Sequence, residues 1–247
     1  MNRNNPTYIK PLYTFADRYT KFYQGDGNLD RATNGGWRFL QNYILEKKPK
    51  VVFDVGGHDG AYIRKIREFG SDAIVYAFEP VTATYAKLCE NMSEDHRVIP
   101  VHMALSSSVG SRVIHINPDI DAIATLSEVN GTKYDYRETE TVQCTTVDLF
   151  AKENDIEAID FLKIDTEGHD LEVIRGAENL LRNGKIRTIV FEFGTLNTFS
   201  HTYLWDFAMY LEPFGFELYK IKPLGLEKVI DPLNERSIYA YFVAIKK

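Results

Sequence analysis

At 247 residues, 44% of them apolar and 13% aromatic, the chain is long enough to bury one large α/β core without a second domain. Its net charge of −6 supplies no overall positive field, so nucleic acid and anionic membranes are not attracted by bulk charge, although a local basic patch stays open. Cys89 and Cys144 lack metal-ligand spacing and read as buried free thiols; there is no apolar leader and no run of about 18 apolar residues, so the expectation is a soluble cytoplasmic protein with no membrane insertion.

Residues 1–34 are tyrosine-rich and polar, with turn chemistry in QGDGNLD, and are expected to form a lid or helical cover on a main domain spanning 35–247. Trp37, Leu40, Tyr43 and Ile44 follow helical spacing up to Pro49. Val51, Val52 and Phe53 form an apolar run without alternation, the pattern of a strand covered on both faces. Gly56, Gly57 and Gly60 then allow a sharp turn and close ligand approach, and Ala61, Ile63, Ile66 and Phe69 begin a helix. A strand in IVYAFEP (74–80), a helix over 81–92 and a strand in VIPVHMAL (98–105) continue an alternation that implies right-handed parallel crossovers.

From about 106 to 145, short strands or hairpins broken by glycine, proline and asparagine predict a β-rich insertion beside the main sheet. Thr146 caps a short helix, IDFLKID is a strand ending at Asp165, and one helix over 171–182 stops at Asn183-Gly184. IRTIVFEFG (186–194) is the next strand. Tyr203, Phe207, Tyr210 and Leu211 mark a further helix with core spacing, and FELYKI with SIYAYFVAIK reads as a closing strand pair containing an antiparallel edge.

The glycine loop narrows the ligand. It reads DxGxxxG, neither the GxGxxG of dinucleotide sites nor the GxxxxGK[ST] of phosphate loops. Asp54 repels a pyrophosphate and attracts an ammonium, while Glu79, at the next strand end, can accept both hydroxyls of a ribose. Ribose, ammonium and no phosphate together describe S-adenosylmethionine (SAM). The alternative is a tight turn beside a solvated Glu79.

In DVGGHDG, AFEP, the AL of HMALS, TVDLF, DFLKIDTEGHDLEVIRGA and VFEF, over roughly residues 28–245, the chain resembles the FkbM family of SAM-dependent methyltransferases. The block at 160–177 is the most specific. The resemblance implies the class I methyltransferase fold, Rossmann-like, a seven-stranded mostly parallel sheet with helices on both faces and a reversed last strand. It implies Asp54, Gly56 and Gly60, with Gly57 in the same loop, at the amino-acid end of SAM, Glu79 at the ribose, and Ala104 and Leu105 flanking the adenine. Asp165 belongs to both the cofactor and the acceptor side, which lies at TEGHD and FEFGTLNTFSH, where open α/β sheets bind ligands. One departure is Gly36 in Asn34-Gly35-Gly36, where members often carry glutamate.

Methyl transfer to oxygen needs an aligned acceptor and a proton acceptor. Asp165, Glu167, His169 and Glu192 are the catalytic candidates, with His169 the expected base and Asp165 or Glu192 orienting it. The competing reading of His169 is a helix-start residue satisfying backbone groups. Asp165 and Glu192, with Asn197 as an oxygen ligand, also suit a divalent cation such as magnesium or manganese, a route ranked below metal-free proton removal. Tyr134, Tyr136, Phe199, Tyr203 and Trp205 are candidates for stacking on a sugar face, against a core role.

The expected activity is O-methylation of a small molecule, first a saccharide or glycoconjugate hydroxyl, then a polyketide-type hydroxyl. The rivals are a dinucleotide-dependent oxidoreductase, disfavoured by the missing GxGxxG, and a SAM- or glycan-binding module without turnover, disfavoured by the polar cluster at the strand ends. The expected partner is a small-molecule or glycan acceptor, not nucleic acid.

Overall fold

The computed structural model describes residues 9–24, 26–233, 235 and 239–247. A helix α1 (Ile9–Gln24) precedes α2 (Gly36–Lys47), and the apolar run then forms β1 (Val51–Val55). The alternation continues through α3 (Ala61–Glu68), β2 (Ile74–Phe78), α4 (Thr82–Met92) and β3 (Val98–Val101). The expected strand at 98–105 is divided: at His102-Met103 the chain leaves the main sheet, and β4 (Ala104–Leu105) pairs in a second one. That small sheet, of order β4-β6-β5, is completed by β5 (Gly110–Ile116) and β6 (Glu138–Thr145), where the β-rich stretch was expected.

Thr146 Oγ1 accepts from Leu149 N at 3.0 Å and starts α5 (Val147–Glu153), which leads to β7 (Ile159–Ile164). The helix expected over 171–182 is broken into α6 (Asp170–Arg175) and α7 (Glu178–Arg182). Close approach explains the break. A Cβ on Gly176 would lie 2.1 Å from Ser106 O, and the Gly176 carbonyl accepts from Asp148 N instead of extending the helix. Next come β8 (Ile186–Phe193), α8 (Thr195–Phe199), α9 (Leu204–Leu211), β9 (Phe216–Lys222), β10 (Gly225–Lys228) and β11 (Ala240–Lys246).

The main sheet has the order β10-β9-β11-β8-β7-β1-β2-β3. Its five strands from β8 to β3 pair in parallel, and the reversed β11 is wedged antiparallel between β8 and β9. This is the class I methyltransferase arrangement, corrected from seven strands to eight by the edge hairpin β9–β10. β10 reads GLEK and is exposed throughout, so it lacks the apolar signal that marks a strand.

Helices cover both faces because alternate strand residues point to opposite sides. Phe53, Leu162, Phe191 and Phe242 pack against α5, α6, α7 and α9. Val52, Phe161, Val190 and Val243 pack against α2, α3 and α4. Residues ahead of α2 also dock: Gly27 N donates to Tyr239 O at 2.8 Å, and Asn34 is buried. The described side chains of α1 are mostly exposed. Among the described residues, no helix is long and apolar enough to cross a membrane.

Gly176 has an ordinary helical φ, so substitution there tests the close approach alone. Gly176→Ala is expected to lower stability by about 1–3 kcal/mol in urea unfolding, the scale of overpacking. Unchanged stability would show that Ser106 can move away freely.

Candidate active site

The parallel register of β1 and β7 sets Asp54 beside Lys163 near the carboxyl ends of the two central strands. Both are buried, and Lys163 Nζ lies 2.8 Å from Asp54 Oδ1, 2.9 Å from Gly56 O and 3.7 Å from Asp165 Oδ2. Gly56 follows at φ 77°. A Cβ on it would lie 2.0 Å from Asp165 O, so only glycine lets the β1 loop pass the end of β7.

Two cavities open at these strand ends. The first is lined by Gly56, Phe78, Glu79, Ala104, Leu105, Ile114, Leu126 and His169. Glu79 accepts backbone N–H bonds from His58 (3.1 Å) and Val81 (3.0 Å), one on each oxygen, so each oxygen keeps a lone pair for a ligand. Burial nevertheless raises its pKa. The second cavity is lined by Arg31, Gly57, Tyr62, Tyr134, Lys163, Glu192, Asn197, Tyr239 and Tyr241. Gly56, His58, Ala122, Asp165 and Glu167 line both, so the two spaces meet at the carboxylates.

The acidic groups differ in state. Burial opposes ionisation of Asp165, but Lys163 and Arg31 hold its carboxyl below the usual range; Arg31 Nη2 lies 2.5 Å from Asp165 Oδ2. Glu167, half-buried, is pushed up to about 8 by desolvation and by the charges of Asp165 and Asp170. Glu192 is raised well above its ordinary value by burial and then by the charges of Asp165 and Glu167. Asp170, wholly buried beside Asp165, is pushed up to about 7. Glu167 also holds a left-handed φ of 54°, a strained conformation for a side chain-bearing residue.

Several expected positions are revised by this geometry. Asp54 has no surface on either cavity and acts as the counterion of Lys163. Gly60 starts α3 and lines neither cavity; a Cβ there would meet Met92 Cε at 2.8 Å. His169 is outside the second cavity. Its Nε2 lies 2.9 Å from Ser106 Oγ, and burial, with the charge of Arg112 adding, pushes its pKa down to about 4. Asn197 Oδ1 accepts from Gly194 N at 2.7 Å and keeps one lone pair, so the side chain is anchored at the start of α8 beside the carboxylates. Of the aromatic candidates, only Tyr134 lines the second cavity; Tyr203 is 60% exposed rather than core, and Trp205 borders a different depression.

Asp165, Glu167 and Glu192 offer oxygens that all lie within 4.8 Å of one another, a grouping able to hold a metal ion. The Arg31 guanidinium and Lys163 ammonium already supply positive charge to Asp165 there. Arg31 was not anticipated from sequence. It stands in a polar turn, and its environment is built from distant segments: Trp37, Tyr62 and Tyr241 rings lie 5.5, 5.7 and 4.8 Å from its guanidinium. Tyr239 OH, which donates to Glu192 Oε2 at 3.0 Å, gave no signal either. Lys163 did leave one: a charge inside the apolar run IDFLKI must find a counterion if buried.

Residues 54–218 match the family described as the methyltransferase FkbM domain. A hexuronic acid methyltransferase, AglP, from Haloferax volcanii is 31% identical over 135 residues, covering 54% of this chain and 52% of that protein; the match thus spans about half the relative's length. A 2-O-methyltransferase, NoeI, from Sinorhizobium fredii is 27% identical over 197 residues, covering 74% and 79%. The precorrin-6y C5,15-methyltransferase structure from Geobacter metallireducens overlays with a TM-score of 0.45 at 13% identity, covering 86% and 87%.

Two stability measurements check the electrostatics. Lys163→Met leaves the buried Asp54 without its counterion and is expected to cost about 3–5 kcal/mol in urea unfolding at pH 7. His169 has a folded pKa of about 4 against an unfolded value near 6.5, so between these values the unfolded chain binds the extra proton. Stability is therefore lost as pH falls through that window. His169→Gln is expected to remove about 2 kcal/mol of this loss between pH 7 and 4.5; an unchanged pH dependence would contradict the burial of a neutral imidazole.

Proposed function

We propose, because the chain belongs to the FkbM methyltransferase family, that it transfers a methyl group from SAM to a hydroxyl oxygen of a saccharide or glycoconjugate. The observation that carries the reading is Glu167, a carboxyl that borders both cavities with its pKa raised to about 8. The saccharide preference draws support from the relative described as acting on hexuronic acid.

The residues of the first cavity fit the cofactor. Glu79 retains acceptor capacity for ribose hydroxyls, and Ala104, Leu105, Ile114 and Leu126 form an apolar slot for a planar base. When bound, SAM supplies a methyl carbon activated by a sulfonium. The chain's own part is to hold the acceptor oxygen in line and take its proton. Asp165 stays ionised beside Arg31 and Lys163, and Glu192, its pKa raised, lies beside it, so this pair orients hydroxyls. Glu167 accepts the proton from the acceptor oxygen as the new C–O bond forms. A pKa near neutrality suits that task better than the depressed value of His169. With Asp165 already neutralised by two side-chain cations, turnover needs no divalent metal and should survive a chelator; loss with EDTA and recovery with magnesium or manganese would recast the three carboxylates as ligands.

Incubation with methyl-labelled SAM and a panel of nucleotide sugars, glycans and polyketides tests the activity, and labelled saccharide is the expected product. Glu167→Gln is expected to retain SAM affinity in calorimetry while kcat falls by about 10² to 10⁴. Because the base must be deprotonated, wild-type kcat should rise with pH through about 8. A flat profile, with Glu167→Gln near wild type, would remove Glu167 from the proton transfer.

A further inference from the structure

The segment before the site carries a surface that methyl transfer leaves unused. In α1, Leu12, Phe15, Tyr19 and Phe22 recur at spacings of three, four and three, which sets them on one face, and they are 59–68% exposed. Tyr13 and Tyr23, also exposed, widen the stripe. The same helix carries Lys10, Arg18 and Lys21 against one acidic residue, Asp17, which pairs with Lys21 at 3.0 Å, leaving a net of +2 in a chain whose total is −6. Exposed aromatics and segregated positive charge thus coincide on one element.

We propose that α1 docks in the plane of an anionic lipid surface, its aromatic face entering the headgroup boundary and its basic residues meeting lipid phosphates. Sixteen residues of helix span only about 24 Å, and four charges are included, so the helix lies on a bilayer rather than crossing it. Composition separates this occupant from a second copy of the chain. A helix–helix seam favours leucine, isoleucine and valine, of which the exposed stripe has only Leu12, and pairing two such helices opposes their positive charges. Tyrosine and phenylalanine beside lysine and arginine are instead the chemistry of a membrane interface. The inference stands on α1 alone and does not depend on the methyl-transfer reading.

Sedimentation of the full chain with vesicles tests it. Binding to vesicles of phosphatidylcholine and phosphatidylglycerol at 3:1 is expected, at least about tenfold stronger than to phosphatidylcholine alone and weakened by salt. The triple variant Phe15→Ser, Tyr19→Ser, Phe22→Ser and the triple variant Lys10→Glu, Arg18→Glu, Lys21→Glu should each lose at least about tenfold in apparent affinity, with circular dichroism and SAM affinity matching wild type. Failure of SAM to bind any of the chains would count against the proposed activity and leave the vesicle result standing. No binding to either vesicle, wild-type affinity retained by either variant, or a concentration-dependent dimer abolished by the serine variant in place of vesicle binding would overturn the proposal.

Discussion

Everything at the site depends on one buried ammonium. Lys163 rises from the centre of the sheet, and a lysine so placed is tolerable only where counterions and carbonyls replace its water. Asp54 across the strand pair and the carbonyl of Gly56 meet that need, with Asp165 close by. These contacts tie the ends of β1 and β7 together, and the resulting close approach is why a glycine stands at position 56.

The charge order spreads outward from that point. Asp165 is ionised because two cations face it, and an ionised Asp165 in a poorly solvated space penalises ionisation of its neighbours. Glu192 and Glu167 are therefore both pushed above the ordinary glutamate value. Asp165 is held down, Glu192 is driven up, and Glu167 sits where both cavities can reach it. Arg31 matters in the same chain of effects, since it brings the segment ahead of α2 into the site and shares Asp165 with Lys163.

The central strands were legible because non-alternating apolar runs have few other meanings in an α/β chain, and Glu79 was legible because it ends one of them. The cavity walls at Ala104 and Leu105 followed from the family resemblance, and they line the first cavity here. What escaped was decided by partners far away in sequence. The break at Gly176 depends on Ser106, the inward turn of Asp54 depends on Lys163, and the position of His169 depends on Ser106 Oγ. Arg31, Tyr239 and Tyr241 come from opposite ends of the chain and have no local pattern to announce them. The edge strand β10 was invisible for a simpler reason: it buries nothing.

The most direct measurement is the titration of individual carboxyl groups by carbon-13 NMR, with Glu167 and Asp165 assigned through Glu167→Gln and Asp165→Asn. The account requires Glu167 to titrate near 8 while Asp165 remains ionised to below its ordinary range. A Glu167 that titrates near the ordinary glutamate value of about 4.3 would contradict it, because the ionised Asp165 would then no longer set the state of its neighbours.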